Sequence, residues 1–209
     1  ILMTQITKNI LCFGESNTWG LNPETGKRYD EKTRWTARLQ QQLDSGFSVI
    51  ESGQPNRTLV NNPPFTGELN GIRYLKPDLQ QYALHTLIIA LGTNDLKKRF
   101  NLAPTDIATG LTHFIGSIKQ FYSPANLPNI IVIGPLFINP QHGLSRIYLN
   151  CNHKLMPLNA LFKRVAHEHA LNYVDISHLN APLGSDGIHL NSQGHKQLSD
   201  ILSHLVLQL

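Results

Sequence analysis

Cysteine is scarce in this chain, with only Cys12 and Cys151 among 209 residues. Two thiols so far apart exclude a disulfide framework and favour a reduced, cytoplasmic setting. No run approaches the roughly 18 apolar residues that a membrane-spanning helix needs. No basic segment leading into an apolar core is legible near Ile1 either, although an export segment removed ahead of it stays open. Charge of one sign is lacking as well, since 18 Lys and Arg residues are scattered among 14 Asp and Glu residues, for a net +4. The single tight basic run, Lys97-Lys98-Arg99, reads as a solvated loop and not as a nucleic-acid-binding face. Internal repeats and low-complexity tracts are absent, so nothing divides residues 1–209 into more than one domain.

Metal-binding patterns are also missing, despite ten histidines. His167-Glu168-His169 places its imidazoles two residues apart, on different sides of a helix, and the HExxH spacing that binds zinc does not occur. The expectation is a site without metal. The Gly-x-Ser-x-Gly elbow of the α/β-hydrolase fold is not met at Ser16, where Thr18 stands in place of the second glycine.

What is present is a series of short apolar runs that end in polar loops. Asn9–Phe13, Phe47–Glu51, Thr86–Leu91, Asn129–Gly134 and Asn172–Asp175 read as strands, the first four bounded by glycine-containing turns. Helical periodicity appears between them. Thr36–Leu43 forms one helix, and Ile107, Leu111, Phe114, Ile115, Ile118 and Phe121 line another that begins near Pro104 and Asp106. A third runs from about Leu155 to Ala170. The last is capped by Asn191, with Leu198, Ile201, Leu202, Leu205 and Leu209 on its apolar face. Leu69–Tyr82 is ambiguous because Pro77 argues for a break, and Pro135–Leu149 reads as a long binding loop. Strands alternating with helices predict an α/β fold with a five-stranded parallel sheet covered on both faces. Ligands of such sheets bind at the carboxyl ends of the strands.

Those strand ends carry the chemistry. Ser16 follows the first strand, and a serine hydroxyl becomes a useful nucleophile only with a base beside it. His189 is the candidate base, oriented by Asp186 three residues earlier. Ser16, Gly53 and Asn94 are candidate oxyanion donors, through two backbone N–H groups and a side-chain amide. Trp19 either walls the substrate pocket or packs beneath the nucleophile loop. Arg57 either pairs with Asp95 or is exposed.

Four ordered blocks resemble the SGNH (GDSL-type) hydrolase superfamily, most nearly its arylesterase/acyltransferase branch. They are Ile10–Gly20, with Gly14-Glu15-Ser16-Asn17-Thr18 at its centre, then Gly53, then Leu91–Lys97, then Asp186-Gly187-Ile188-His189. The resemblance implies a flavodoxin-like three-layer α/β/α sandwich and no cofactor. It implies Ser16, Asp186 and His189 as catalytic residues, with Ser16, Gly53 and Asn94 forming the oxyanion hole. It also implies hydrolysis of small acyl or aryl esters through an acyl-enzyme, acyl transfer in some members, and assembly into homo-oligomers. A carbohydrate O-deacetylase, a thioesterase and a non-catalytic ligand-binding module on the same fold are the alternatives. Two departures stand out: Glu15 replaces the usual aspartate before the serine, and Pro55 follows closely after Gly53, restraining Gln54 toward extended backbone.

Overall fold

A computed structural model describes residues 7–61 and 70–209. The chain opens with β1 (Lys8–Gly14), the short helix α1 (Ser16–Trp19), α2 (Trp35–Gln42), β2 (Phe47–Gly53), α3 (Gly71–Gln81) and β3 (Leu84–Ala90). It continues with α4 (Pro104–Phe121), β4 (Asn129–Ile133), α5 (Leu144–Ile147), α6 (Asn152–Glu168), β5 (Asn172–Val174) and α7 (Ser192–Val206). The five strands form one parallel sheet in the order β2-β1-β3-β4-β5.

Strand alternation divides the core in two. Leu11, Phe13, Leu87, Ile89, Ile130 and Val132 point to one face, where α3, α4 and α6 cover them with Leu75, Leu111, Phe114 and Phe162. Ile10, Cys12, Ile88, Ile131 and Ile133 point to the other, where Trp35 and Leu39 of α2 meet Leu198 and Leu202 of α7. The central strands are buried on both faces, which is why they read as continuous apolar runs and not as alternating ones. The result is the three-layer α/β/α sandwich. Among the described residues, no helix is long and apolar enough to cross a membrane.

Two sequence expectations change. Pro77 does not break the third helical segment, because α3 runs through it from an Asn70 cap whose side chain accepts from Arg73 N–H. An internal proline costs about 3 kcal/mol, and burying Leu75 and Leu79 returns about 1.5–3 kcal/mol each, so packing carries the helix past it. Leu69, the first residue of the ambiguous span, lies outside the described residues. Within the Pro135–Leu149 loop, α5 forms a single turn after Gly143. Its local pattern is too short for periodicity to register. The Asn191 cap is as expected, with its side chain accepting from Gly194 N–H at 2.8 Å.

Candidate active site

The first residue of α1 is Ser16, immediately beyond the carboxyl end of β1. Its Oγ lies 2.8 Å from His189 Nε2. On the other side of that ring, Nδ1 is 2.5 Å from Asp186 Oδ2. The Asp186 carboxylate has a further task, because its Oδ1 accepts from the backbone N–H groups of Ile188 and His189, both at 2.9 Å. Burial alone would raise this carboxyl's pKa, but the hydrogen bonds from His189 and Ile188 outweigh it and hold it below its ordinary value. An ionised Asp186 thus fixes the imidazole with a proton on Nδ1, leaving Nε2 toward the serine.

One hydrogen bond joins loops 173 residues apart in sequence, and two more brace the Asp/His loop from the Pro135–Leu149 loop. Asn17 Oδ1, one position past the serine, accepts from Leu190 N–H at 2.8 Å. The Pro135–Leu149 loop clamps the Asp/His loop from its far side, through Asn139 N–H to Gly187 O at 2.7 Å and Gln141 N–H to Asp186 O at 2.9 Å. Gly187 is required there. Its φ is +70°, and a Cβ would stand 1.7 Å from Asn139 O.

Asn94 sits in a single 3-10 turn just after β3 and is 3 % exposed. Its Nδ2 donates one proton to Arg57 O at 3.0 Å, and its Oδ1 accepts from Tyr148 O–H at 3.2 Å. With both ends of the amide engaged, its orientation is set and one N–H remains to donate. Tyr148, which the sequence reading did not single out, comes from the long loop. An aromatic in an aperiodic loop carries no local signal for such a role.

Gly53 and Trp19 are not brought to this cavity. Gln54 N–H donates to Gly14 O at 3.1 Å, so by strand alternation the Gly53 N–H points away from β1, and β2 is the edge strand. The close approach that Gly53 permits is internal, since a Cβ would meet Trp19 N at 2.2 Å. Trp19 itself lies beside Arg28, whose guanidinium is 5.8 Å from the ring centroid. The second-block residues that do reach the cavity are Pro55 and Asn56, the latter with φ +67° and a backbone N–H that meets no acceptor among the described residues. Pro55 and Asn56 turn the chain inward after the strand ends.

Arg57 follows neither expected course. It is 7 % exposed, donates to Ser52 O at 2.5 Å and Gly14 O at 3.2 Å, and lies 4.1 Å from the centroid of the Phe13 ring. Burial pushes it down to about 10, still charged at neutral pH. Asp95 is also buried and accepts from Leu59 N–H and the Asn61 amide, and burial pushes it up to about 7. Together these contacts brace the loops after β2 and β3 beneath the site.

Glu15 turns its longer side chain onto the serine. Ser16 Oγ–H donates to Glu15 Oε2 at 2.6 Å, while Glu15 Oε1 accepts from Asn17 N–H at 3.3 Å. One hydroxyl proton cannot serve Glu15 and His189 at once. The Ser16 hydroxyl opens on a cavity of about 240 Å³. Beyond Ser16, His189, Asn94, Asn56 and Lys97, its wall is largely apolar, with Leu21, Leu144, Ile147 and Ile188 prominent. A volume below the roughly 300–1,000 Å³ of typical drug-sized pockets suits a short substrate. Among the described residues, no group of three or more His, Cys, Asp or Glu side chains is arranged to hold a metal ion.

A hydroxyl, an imidazole, a carboxylate and free N–H donors around one small cavity suit acyl transfer. The sequence model of the GDSL-like lipase/acylhydrolase family matches residues 12–197, nearly the whole chain. The chain belongs to that family. In fold it is similar to the native aryl esterase of M. smegmatis, at TM-score 0.89 and 32% identity over 97% of this chain and 100% of that one. It is also similar to Est24, a carbohydrate acetylesterase from Sinorhizobium meliloti, at TM-score 0.90 and 28% identity over 97% and 99% of the two chains. Comparison with curated protein sequences yields no match. As a member of the GDSL family with the SGNH hydrolase fold, the chain is a serine hydrolase acting on ester bonds.

Proposed function

We propose that the chain hydrolyses short acyl and aryl esters, with Ser16 as nucleophile, His189 as general base and Asp186 as the group that orients it. The observation that carries this reading is the alignment of Ser16 Oγ, the His189 ring and the Asp186 carboxylate, each 2.8 Å or less from the next, at the mouth of a small cavity. Ser16 Oγ attacks the acyl carbon as its proton passes to His189 Nε2, and Asp186 stabilises the resulting imidazolium. The carbonyl oxygen, now an oxyanion, is received by the Ser16 N–H and the free Asn94 amide proton. Asn56 N–H is the third donor in this reading, in place of Gly53. When the intermediate collapses, the C–O bond to the alcohol breaks and the alcohol leaves with the proton from His189. Water then repeats the sequence on the acyl-enzyme, giving its proton to His189 and releasing the acid and Ser16.

The apolar wall also favours an alcohol as acceptor of the acyl group, which would make the product a new ester. Similarity to Est24 favours acetylated carbohydrates as a second substrate class. The test is Ser16→Ala assayed with p-nitrophenyl acetate, paired with mass-spectrometric mapping of an organophosphonate adduct. Turnover is expected to fall by about 10³-fold or more, and the adduct to map to Ser16. A folded Ser16→Ala protein as active as the parent would end the proposal. Acetylated sugars assayed beside aryl acetates rank the two substrate classes.

A further inference from the structure

The Lys97-Lys98-Arg99 run does not behave as one solvated segment. Lys98 and Arg99 are exposed, whereas Lys97 is 7 % exposed and lines the same cavity as Ser16 and His189. Its Nζ donates to Asn56 Oδ1 at 2.7 Å, and it lies 5.8 Å from the centroid of the Tyr148 ring, which also lines that wall. Among the described residues, no carboxylate comes within the 4.0 Å ion-pair distance of this ammonium. The two nearby carboxylates are engaged elsewhere: Glu15 with Ser16 and Asn17, Asp95 with Leu59 and Asn61.

An ammonium group has three protons to donate, and one acceptor satisfies only one of them. Holding such a cation out of water beside aliphatic side chains is unfavourable unless an anion joins it. The cavity is where an anion would join it, and substrate is what enters the cavity. We propose that the preferred ester carries a carboxylate within a few atoms of the scissile bond, and that Lys97 selects it by pairing with that carboxylate. This rests on the esterase reading of the same cavity. Half-esters of short dicarboxylic acids and acyl esters of small hydroxy acids are esters of this kind that a cavity of about 240 Å³ accommodates. The anion lies on the acyl side in the first and on the alcohol side in the second.

Burial, and after it the charge of Arg99, push Lys97 down to about 8, while Glu15 and Asp95 act in the opposite direction. His189 and Tyr148 are the other titratable groups on the cavity wall. A preference due to Lys97 therefore fades as pH rises through about 8.

The experiment measures kcat/KM for two matched pairs: p-nitrophenyl hemisuccinate against p-nitrophenyl butyrate, and 3-acetoxybenzoate against phenyl acetate. For the wild-type enzyme at pH 7, the anionic member of one pair is expected to lead by about tenfold or more, and the pair that shows it identifies the side carrying the carboxylate. The lead should shrink between pH 7 and 9, approach unity in Lys97→Met, and reverse against an anionic ester in Lys97→Glu. Equal rates for both members of both pairs would overturn the proposal, as would Lys97→Met lowering both members by the same factor. If neither variant folds, the wild-type ratio and its pH dependence still decide the matter. Absence of turnover on the neutral esters as well would instead count against the esterase reading beneath it.

Discussion

A single methylene separates Glu15 from the aspartate usual in this family, and it changes what the Ser16 hydroxyl touches. The longer arm brings Oε2 to 2.6 Å from Ser16 Oγ, where it competes with His189 Nε2 for one proton. While the hydroxyl donates to Glu15, it cannot donate to His189, so in the proposed mechanism the contact must break before attack. A hydrogen bond to a charged acceptor is worth about 1.5–3 kcal/mol net against about 1 kcal/mol for the neutral one that replaces it, a difference of the order of 1 kcal/mol. Glu15→Asp, which retracts the carboxylate, is therefore expected to raise kcat by about 3–10-fold with little change in KM. Steady-state kinetics on p-nitrophenyl acetate measures this, and a lower kcat would mean that the Glu15 contact assists the reaction.

At the scale of elements, the site is held by loops that grip one another. The Pro135–Leu149 loop hydrogen-bonds the Asp186–His189 segment and also supplies Leu144, Ile147 and Tyr148 to the cavity. It therefore couples the shape of the cavity to the placement of Asp186 and His189. Gly187→Ala tests the coupling, because a Cβ at φ +70° would stand 1.7 Å from Asn139 O. The left-handed backbone alone costs about 1–2 kcal/mol with a Cβ, and the clash forces the two loops apart. The expected outcome is a melting temperature lower by roughly 4–8 °C together with loss of most esterase turnover. A variant with parental turnover would show that the triad does not need this clamp.

The elements themselves were legible from local pattern. Ile10–Phe13 and Leu87–Leu91 are apolar throughout because β1 and β3 lie between two helical layers. The spacing from Ile107 to Phe121 marks α4 because one side of it packs on the sheet. Pro77 misled because its cost is local while the burial of Leu75 and Leu79 that offsets it is not.

Across the whole molecule, two buried ionisable groups give stability opposite dependences on pH. Asp95 is pushed up to about 7, so the folded state binds its proton more tightly than the unfolded chain, whose carboxyl titrates near 3.9. Its contribution is fully present below about pH 4 and lost as pH rises through about 7. His195 accepts from Trp35 N–H at 3.2 Å and is pushed down to about 3, by burial first and then by the charges of His189 and Arg38. An unfolded histidine titrates near 6.5, so the His195 contribution is present above that pH and lost as pH falls toward 3. Between about pH 4 and 6.5 the two slopes offset each other. Asp95→Asn keeps an acceptor for Leu59 N–H and removes one slope. Relative to wild type, the variant should gain stability between pH 4 and 8, by an amount of the order of 2–4 kcal/mol. Urea denaturation at the two pH values measures the difference, and an equal effect at both would show that Asp95 does not titrate as described.

The sequence by itself determined the layered α/β architecture and the order of the nucleophile, amide and Asp/His blocks, because strand burial, helix periodicity and turn residues are written into neighbouring positions. Tertiary structure decided what each loop residue faces. It turned Gly53 toward Trp19 and Asn56 toward the cavity, placed Glu15 on the serine, and withdrew Lys97 from solvent while leaving Lys98 exposed. The physical reason is that a loop side chain takes its direction from the backbone turn and from partners dozens of residues away. Local composition carries no record of either.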